Sequence, residues 1–302
     1  MTSIFNSSSS RMTLEQQKKW FGIFIVSPGL IWIFATVFYP LGYGIFLSFY
    51  KAHLLKLKKA KFIGFDNYEK LFADDYFWNA VSNTVFMTGL WTIFGAVVGL
   101  MMALALNKEG RSSRVIGAIL LLPWIMPGVC VAYMCVYIFD ERMGVMVELM
   151  LMSGIIDKKV TIFSDPNLAP WFVIIVTSWL AFPFFMTMFL AGLKTIPKDI
   201  EEAASIDGAS GIAKLRYIIL PYLKNIIVIT TILSIVWGFN FFDLIYVTTG
   251  GGPFSRTETL VILAQRMAFK VLDLGYTSAL GVIWLLILMV FSVFYLKSMK
   301  VI

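Results

Sequence analysis

Long apolar stretches alternate with short charged segments along the whole chain of 302 residues. Six of the stretches contain no Asp, Glu, Lys or Arg, and together they make up more than half of the chain. A helix needs about 20 mostly apolar residues to cross the hydrocarbon core of a bilayer. The pattern therefore predicts an all-α, polytopic membrane protein. Its six transmembrane helices are predicted near residues 22–48, 83–106, 115–139, 170–192, 223–247 and 278–297.

The composition agrees with this interpretation. Hydrophobic residues make up 59% of the chain and charged residues 14%, whereas soluble domains carry about 45–50% and about 25%. A soluble globular protein, a disordered chain and a secreted disulfide scaffold are thereby excluded. The first apolar stretch is too long for the core of a signal peptide, which has about 7–15 residues. We therefore expect residues 1–20 to form a flexible cytoplasmic tail and residues 21–302 to form the transmembrane domain.

The net charge of +7 does not indicate nucleic-acid binding, because no basic stripe with interleaved aromatic residues occurs. In membrane proteins, an excess of Lys and Arg usually faces the cytoplasm. With both termini inside, the inner segments carry 13 basic residues and the outer loops 12. The near-tie arises because the lysine cluster at 51–61 lies in an outer loop. The higher basic density of the shorter inner segments favours cytoplasmic N and C termini.

The residue patterns of enzymes and nucleotide-binding proteins are missing from the sequence. It contains no GxxxxGK[ST], HExxH, GxSxG or CxxC pattern, and its single histidine argues against a His-based metal site. We therefore predict no catalytic residue and no metal ligand. Proton-coupled carriers usually place ionisable residues inside their spans, but only Asp243 is a candidate, and its expected position is interfacial. The chain is thus expected to be a conduit whose energy source lies elsewhere, rather than a membrane enzyme or a proton-coupled carrier.

The segment 194–224, between the fourth and fifth spans, differs from the other connections. Pro197 is suited to the first turn of a helix, and acidic residues follow it in that turn. Gly208 is expected to end this helix because glycine adopts positive φ readily. A second helical piece is predicted to end at Pro221. The pattern thus predicts a helix–glycine–helix hairpin outside the hydrocarbon.

This hairpin resembles the EAA signature of the binding-protein-dependent ABC importers. The match comprises seven positions at fixed spacing, namely Glu202, Ala203, Ala204, Gly208, Ile218, Leu220 and Pro221. Other segments resemble the carbohydrate-importing branch of that family, namely Phe62–Tyr68, Leu122–Pro123, Phe163–Pro166, Leu190–Pro197 and Thr249–Pro253. The last segment is typical of the permease type that works with a second, different permease.

The resemblance implies the type I ABC importer permease fold in a prokaryotic plasma membrane, with the hairpin and both termini in the cytoplasm. The implied partners are the second permease, two copies of a cytoplasmic ABC ATPase, and an extracellular or periplasmic solute-binding protein. The chain itself would bind no cofactor, since ATP and Mg would be held by the ATPase subunits. The hairpin would be the coupling helix seated on an ATPase. Its implied coupling residues are Glu202, Ala203, Ala204, Asp207, Gly208 and Ala209.

The resemblance also implies a sugar site on the fourth and fifth spans. The positions that align with the sugar-binding positions of maltose-importing members are Thr177, Leu180, Ala181 and Phe184, and Ser234, Trp237, Gly238 and Phe241. Each set follows i, i+3, i+4, i+7, the spacing of one face of a helix. The aromatic members are expected to stack on sugar rings, and the hydroxyls of Thr177 and Ser234 to hydrogen-bond sugar hydroxyls.

The sequence leaves the substrate open. Thr177, Gly238 and Phe241 stand where the maltose site has asparagines, so maltose is not implied. The charge-free stretches of spans four and five, 166–193 and 225–242, contain no basic residue, which favours a neutral sugar over a uronate oligosaccharide or a glycerol phosphate. We expect import of a sugar, an oligosaccharide in particular, by alternating access. The alternative is a structural permease whose partner permease holds the whole sugar site.

Overall fold

The computed structural model describes residues 13–107 and 110–298 and is almost wholly helical there. The helices in chain order are α1 (Leu14–Ile33), α2 (Tyr39–Ser48), α3 (Asp66–Phe72), α4 (Asp75–Leu106), α5 (Arg111–Leu120), α6 (Leu122–Ile125), α7 (Gly128–Ile138), α8 (Val145–Met152), α9 (Leu168–Leu193), α10 (Lys198–Ile206), α11 (Gly211–Lys214), α12 (Leu220–Phe239), α13 (Asp243–Thr248), α14 (Leu260–Gln265) and α15 (Leu274–Ser298). Strands β1 (Tyr50–Lys51) and β2 (Lys61–Phe62) pair antiparallel between α2 and α3.

The number of spans agrees with the prediction. Five helical stretches in the described residues are long and apolar enough to cross a membrane, namely Leu14–Ser48, Asp75–Leu106, Leu168–Leu193, Gly211–Thr248 and Leu274–Lys297. A sixth candidate is the pair Arg111–Ile125 and Gly128–Ile138, whose two parts are bent by 90°. Counted as one span, this pair makes six, and the predicted all-α, polytopic fold class is confirmed.

The third span is not the single helix predicted over 115–139. Met126 is extended, with φ −70° and ψ 133°, and it separates α6 from α7. The cause is Pro127, because proline lacks an N–H and disfavours the helical conformation of the residue before it. The chain therefore turns sharply in the middle of this span.

The fifth span is also interrupted. Helix α12 ends at Phe239, and Asn240 has φ −103° and ψ 7°. Phe241 therefore lies in the break before α13 and not on the helical face predicted for it. Its backbone N–H still bonds the Gly238 carbonyl at 3.2 Å, and this turn keeps its ring beside α12.

Two predicted boundaries shift in the structure. Pro221 does not end the second piece of the hairpin, because a π-helical turn, Leu215–Ile219, leads from α11 into α12. This wider turn accommodates the missing N–H of Pro221. At the N terminus, Thr13 caps α1, which begins at Leu14, so the end of the predicted tail 1–20 is already helical. Residues 1–12 lie outside the described part of the chain.

Helices α4 and α9 pack closely against each other and run in the same direction. At one end Phe86 faces Trp171, with ring centroids 6.0 Å apart. Midway, a side chain on Gly99 would bring its Cβ within 2.5 Å of the Phe185 Cβ. Small residues allow such close approach of membrane helices. Helix α9 is the most buried of the candidate spans, whereas the first span is the least buried.

The bundle has two distinct ends, which we call the ribbon end and the hairpin end. The ribbon end carries β1, β2 and α3, and the hairpin end carries α10 and α11. Helix α4 joins the two ends with 32 residues, a length of about 48 Å. At the ribbon end, the loop after α13 is tied to α4, because Asn79 and Asn83 both donate a side-chain hydrogen bond to the Ser255 carbonyl at 2.8 Å.

Candidate functional site

A cavity of about 270 Å³ lies between α4, α6, α7, α9 and the α12–α13 break. Six of the eight predicted sugar-site residues line it, namely Leu180, Ala181, Phe184, Ser234, Trp237 and Phe241. Two helices distant in the sequence thus bring their predicted faces to one space.

The other two predicted residues lie apart from this cavity. Thr177 and Gly238 line a neighbouring space of only about 20 Å³, which Phe241 also borders. The Thr177 hydroxyl donates to the Val173 carbonyl at 2.7 Å, so it is engaged within its own helix. Gly238 packs directly against Thr88, where any Cβ would collide with that side chain. A space of this size holds about one water molecule and no sugar ring.

Aromatic rings form much of the cavity wall. Phe184 lies edge to face with Trp237 at 4.8 Å between ring centroids, and Trp124 lies 6.0 Å from Phe184. On the other side, the Trp91 and Phe241 centroids are 5.4 Å apart. Such rings combine a large apolar face with a defined geometry, which suits the C–H faces of sugar rings.

The cavity wall has few polar groups. Ser234 is buried, and its hydroxyl shares a 2.9 Å hydrogen bond with the Thr92 hydroxyl. Asp243, in the first turn of α13, is the single charged residue among the lining residues. A side chain on Gly128 would bring its Cβ within 3.3 Å of the Asp243 carboxylate. The carboxylate therefore lies where the breaks of the third and fifth spans meet.

Sequence reasoning missed seven lining residues, namely Trp91, Pro123, Trp124, Met126, Gly128, Phe185 and Asp243. The spacing of Trp91, Gly95 and Gly99 at i, i+4 and i+8 could have predicted that Trp91 faces inwards, because the three residues share one helix face. The prolines at 123 and 127 also marked the third span as irregular. Asp243 was expected at the membrane interface, and no local pattern pointed from it to the cavity.

The predicted hairpin is present at the other end of the bundle. Helix α10 ends in a turn at Gly208, whose φ is +75°. The N–H of Asp207 bonds the Ala203 carbonyl and the N–H of Ala209 bonds the Ala204 carbonyl, each at 2.9 Å. Glycine is favoured there because other residues are strained at positive φ.

The six predicted coupling residues lie on α10 and in the turn that follows it. Glu202, Ala203, Asp207 and Gly208 are exposed, whereas Ala204 and Ala209 are half-buried. The side chain of Glu201 lies outside the described residues. Close to these six residues in the chain, Ile206 and Ile212 are exposed by 86% and 79%. Neither isoleucine is therefore buried by packing within the described part of the chain.

The described residues contain no group of three or more His, Cys, Asp or Glu side chains close enough to hold a metal ion. The two cysteines are free, with Cys135 buried and Cys130 exposed. The arrangement therefore offers an aromatic cavity and an exposed hairpin.

Comparison with protein families finds a match over residues 95–298 to the family described as binding-protein-dependent transport system inner membrane component. The chain is 33% identical over 279 residues to the sulfoquinovosyl glycerol transport system permease protein SmoG of Agrobacterium fabrum, covering 92% of this chain and 90% of that protein. It is 28% identical to the trehalose/maltose transport system permease protein MalF of Thermococcus litoralis, covering 97% of each.

Among solved structures, a chain of a bacterial ABC transporter that imports the acidic polysaccharide alginate superposes with a TM-score of 0.81. The identity is 21%, and the match covers 95% of this chain and 98% of that one. A chain of the MetNI methionine ABC transporter superposes with a TM-score of 0.52 at 17% identity, covering 74% of this chain and 94% of that chain. At these identities the likeness shows the shared fold.

Proposed function

The chain belongs to the family of binding-protein-dependent transport system inner membrane components, and from this membership we propose that it is one transmembrane subunit of an ATP-driven sugar importer. The relatives named above carry names for sulfoquinovosyl glycerol and for trehalose and maltose transport. The chain would be a transport subunit rather than an enzyme. Import would proceed by alternating access, with the energy of ATP supplied by other subunits.

The observation that carries the sugar assignment is the cavity at the helix breaks. Six residues predicted from the sequence line it, together with Trp91 and Trp124. In membrane transporters, substrate sites typically lie near the bilayer midplane where helices are discontinuous. The aromatic wall would hold the apolar faces of sugar rings, and the Ser234 hydroxyl and Asp243 carboxylate would bind sugar hydroxyls.

A photoreactive sugar tests this site. The assembled transporter is irradiated with the sugar delivered by its binding protein, and labelled peptides are identified by mass spectrometry. Label on the peptides that carry Phe184 or Trp237 is expected, and competition by unlabelled sugar should remove it. Label found wholly on the second permease would instead support the structural-subunit alternative.

A neutral sugar, an oligosaccharide in particular, fits the charge of the cavity. Its single charged lining residue is the acidic Asp243, and no lining residue is basic. An anionic group such as a uronate or a glycerol phosphate would meet a like charge there. Competition for uptake by neutral oligosaccharides, and none by their uronate counterparts, is the expected result. Competition by the uronate oligosaccharides, and none by the neutral ones, would exclude a neutral substrate. The proposal that the chain is a subunit of a sugar importer would still stand.

The hairpin would couple the cavity to one of the two copies of a cytoplasmic ABC ATPase, which bind ATP and Mg. Its exposed turn and its flanking Ile206 and Ile212 support this role. The hairpin end would then face the cytoplasm, and an even number of spans would bring both termini to that side. A membrane-impermeant maleimide should label Ser210→Cys only in inverted vesicles and Lys58→Cys only in intact cells. Labelling in the opposite sense would reverse the orientation.

The exposed first span supports a second, different permease as partner. Its most apolar window has no buried residue in the structure, so this surface is free to pack on a neighbouring subunit or on lipid. A solute-binding protein would dock at the ribbon end. Affinity purification of the tagged chain should recover one further permease and an ATPase. Recovery of a homodimer would contradict the second permease while leaving the ATPase assignment intact.

A further inference from the structure

A dense lysine cluster at the ribbon end is not used by the transport cavity or the hairpin. Residues 51–61 contain five lysines and no acidic residue, and all five lysines are exposed. In the proposed orientation this cluster lies on the outer side, where membrane proteins usually carry fewer basic residues. A feature that opposes the general charge pattern calls for a physical explanation.

The strand register brings two of these charges together. Lys51 and Lys61 are direct partners in the antiparallel pair of β1 and β2, and like charges in opposed positions destabilise a strand pair. Neither ammonium group has an ion-pair or hydrogen-bond partner among the described residues. The nearby carboxylate of Asp273 is paired with Lys70, with Nζ and Oδ2 3.0 Å apart. An anion from outside the chain would turn this repulsion into attraction.

The lysines also border an open cavity of about 400 Å³. It is lined by Lys51, Lys56, Lys59 and Lys61, and also by His53 and by Asp273, whose carboxylate is paired with Lys70. Four positive charges that converge on one concave site concentrate the field there. The fifth lysine, Lys58, is not part of the lining and provides a matched control.

The backbone around the cavity is anchored to the start of α15. His53 forms a β-bridge with Asp273, the Leu54 N–H bonds the Leu272 carbonyl at 3.0 Å, and the Leu274 N–H bonds the Ala52 carbonyl at 2.9 Å. The lysine-bearing segment is therefore tied to a transmembrane helix. Its charges are held together before any ligand arrives.

We propose that this lysine-lined cavity binds a phosphate group, with the headgroup of an anionic phospholipid as its source. Lysine binds phosphate as a point charge, and basic pockets between the helices of membrane proteins bind anionic lipid headgroups on the cytoplasmic or matrix side. Lys51 follows the end of α2 at Ser48 by only three residues. The rings of Tyr43, Phe46 and Phe62 form a series of contacts with Tyr50, the residue before Lys51, and aromatic residues concentrate at the membrane–water interface. The cavity therefore lies at headgroup level.

The test uses the full chain with its copurifying subunits in detergent micelles. Micelles are supplemented with phosphatidylglycerol or with phosphatidylcholine, and a third sample receives inorganic phosphate alone. Native mass spectrometry counts bound lipid, and the midpoint of thermal unfolding reports stabilisation. Phosphatidylglycerol is expected to remain bound to the wild-type chain and to raise the midpoint by about 2–4 °C. The double variant Lys51→Gln/Lys61→Gln should lose both effects, and Lys58→Gln should keep them.

The source of the phosphate is read from the third sample. A rise with inorganic phosphate alone would assign the site to free phosphate, whereas no rise supports the lipid headgroup. If the double variant fails to fold, Lys56→Gln and Lys59→Gln remove charges outside the strand pair and should each weaken lipid retention.

Equal effects of the two lipids, or unchanged phosphatidylglycerol binding in all these variants, would overturn the proposal. If the variants then reduced stimulation of ATPase activity by a solute-binding protein, the lysines would be assigned to docking an acidic protein surface.

Discussion

The rings of Phe184 on α9 and Trp237 on α12 meet edge to face, with their centroids 4.8 Å apart and their planes at 63°. Trp237 is nevertheless 44% exposed, so part of its indole borders open space. Phe184 thus supports the ring from one side. The pair joins the two helices that the sequence analysis assigned to the sugar path.

Removal of the indole should weaken sugar binding. Trp237→Ala is expected to raise the KM for uptake by up to about 10-fold, since an aromatic contact contributes about 0.5–1.5 kcal/mol. Initial rates of labelled-sugar uptake measure this change. Trp179→Ala provides the control, because Trp179 is exposed on α9 but does not line the cavity. Similar KM values for the two variants would argue against the stacking role of Trp237.

Charge reversal at the hairpin should separate ATP hydrolysis from transport. Glu202 is exposed on α10 close to the Gly208 turn, and Glu202→Lys should place a repulsive charge against a basic partner group on the ATPase. We expect subunit assembly to stay measurable and uptake to fall well below the wild-type rate. Glu15→Lys, an exposed substitution in the first turn of α1 and outside the hairpin, should transport normally. If Glu202→Lys transported sugar at the wild-type rate, Glu202 would have no role in coupling.

Close approach of α4 and α9 should make Gly99 intolerant of a side chain. Its Cβ would lie 2.5 Å from the Phe185 Cβ and 2.8 Å from the Met186 backbone nitrogen. Gly99→Ala is therefore expected to destabilise the fold by about 1–3 kcal/mol, the range for overpacking. Gly89→Ala lies on the same helix with no atom within 4 Å of the added Cβ, so it should be neutral. The unfolding midpoints of the two purified variants measure the difference, and equal midpoints would contradict the packing.

The partly buried ion pair behind the ribbon-end loop should matter more than an exposed one. The Arg266 Nε lies 2.7 Å from the Glu258 Oε1; Glu258 is 3% exposed, and the Arg266 side chain is one third exposed. Glu258→Gln should cost about 1–3 kcal/mol, because a charge-assisted hydrogen bond to a buried carboxylate is lost. The exposed pair of Glu148 and Lys159, 3.3 Å apart, is the control, and Glu148→Gln should cost at most about 1 kcal/mol. Thermal unfolding of both variants measures the loss of stability. A loss that is smaller for Glu258→Gln than for Glu148→Gln would contradict the prediction.

The spans were predictable from the sequence because hydrophobicity over about 20 residues is a local property. The helix–glycine–helix hairpin was predictable for the same reason, since the positive φ of Gly208 follows from local turn chemistry. The 90° bend at Met126 was signalled by Pro127, but the sequence alone did not reveal its size. A proline can kink a helix slightly or break it, and the packing of the neighbouring helices decides which.

The predicted sugar site was only partly correct, because local sequence patterns do not show where a helix breaks or how helices pack. A spacing of i, i+3, i+4, i+7 indicates one helix face only while the helix continues, and α12 ends before Phe241. Gly238 and Thr177 belong to the aligned positions, yet they line a space of only about 20 Å³. Asp243 lines the larger cavity because two separate helix breaks meet there.

The sequence by itself determined the membrane-spanning class, the number of spans and the helix–glycine–helix hairpin, because each depends on residues close together in the chain. Only the tertiary structure decided which side chains share a cavity and which lysines converge at the ribbon end. Trp91, Phe184 and Trp237 belong to three different helices, and their meeting depends on how those helices pack and where they break. Such convergence is a property of long-range packing, which no single stretch of sequence contains.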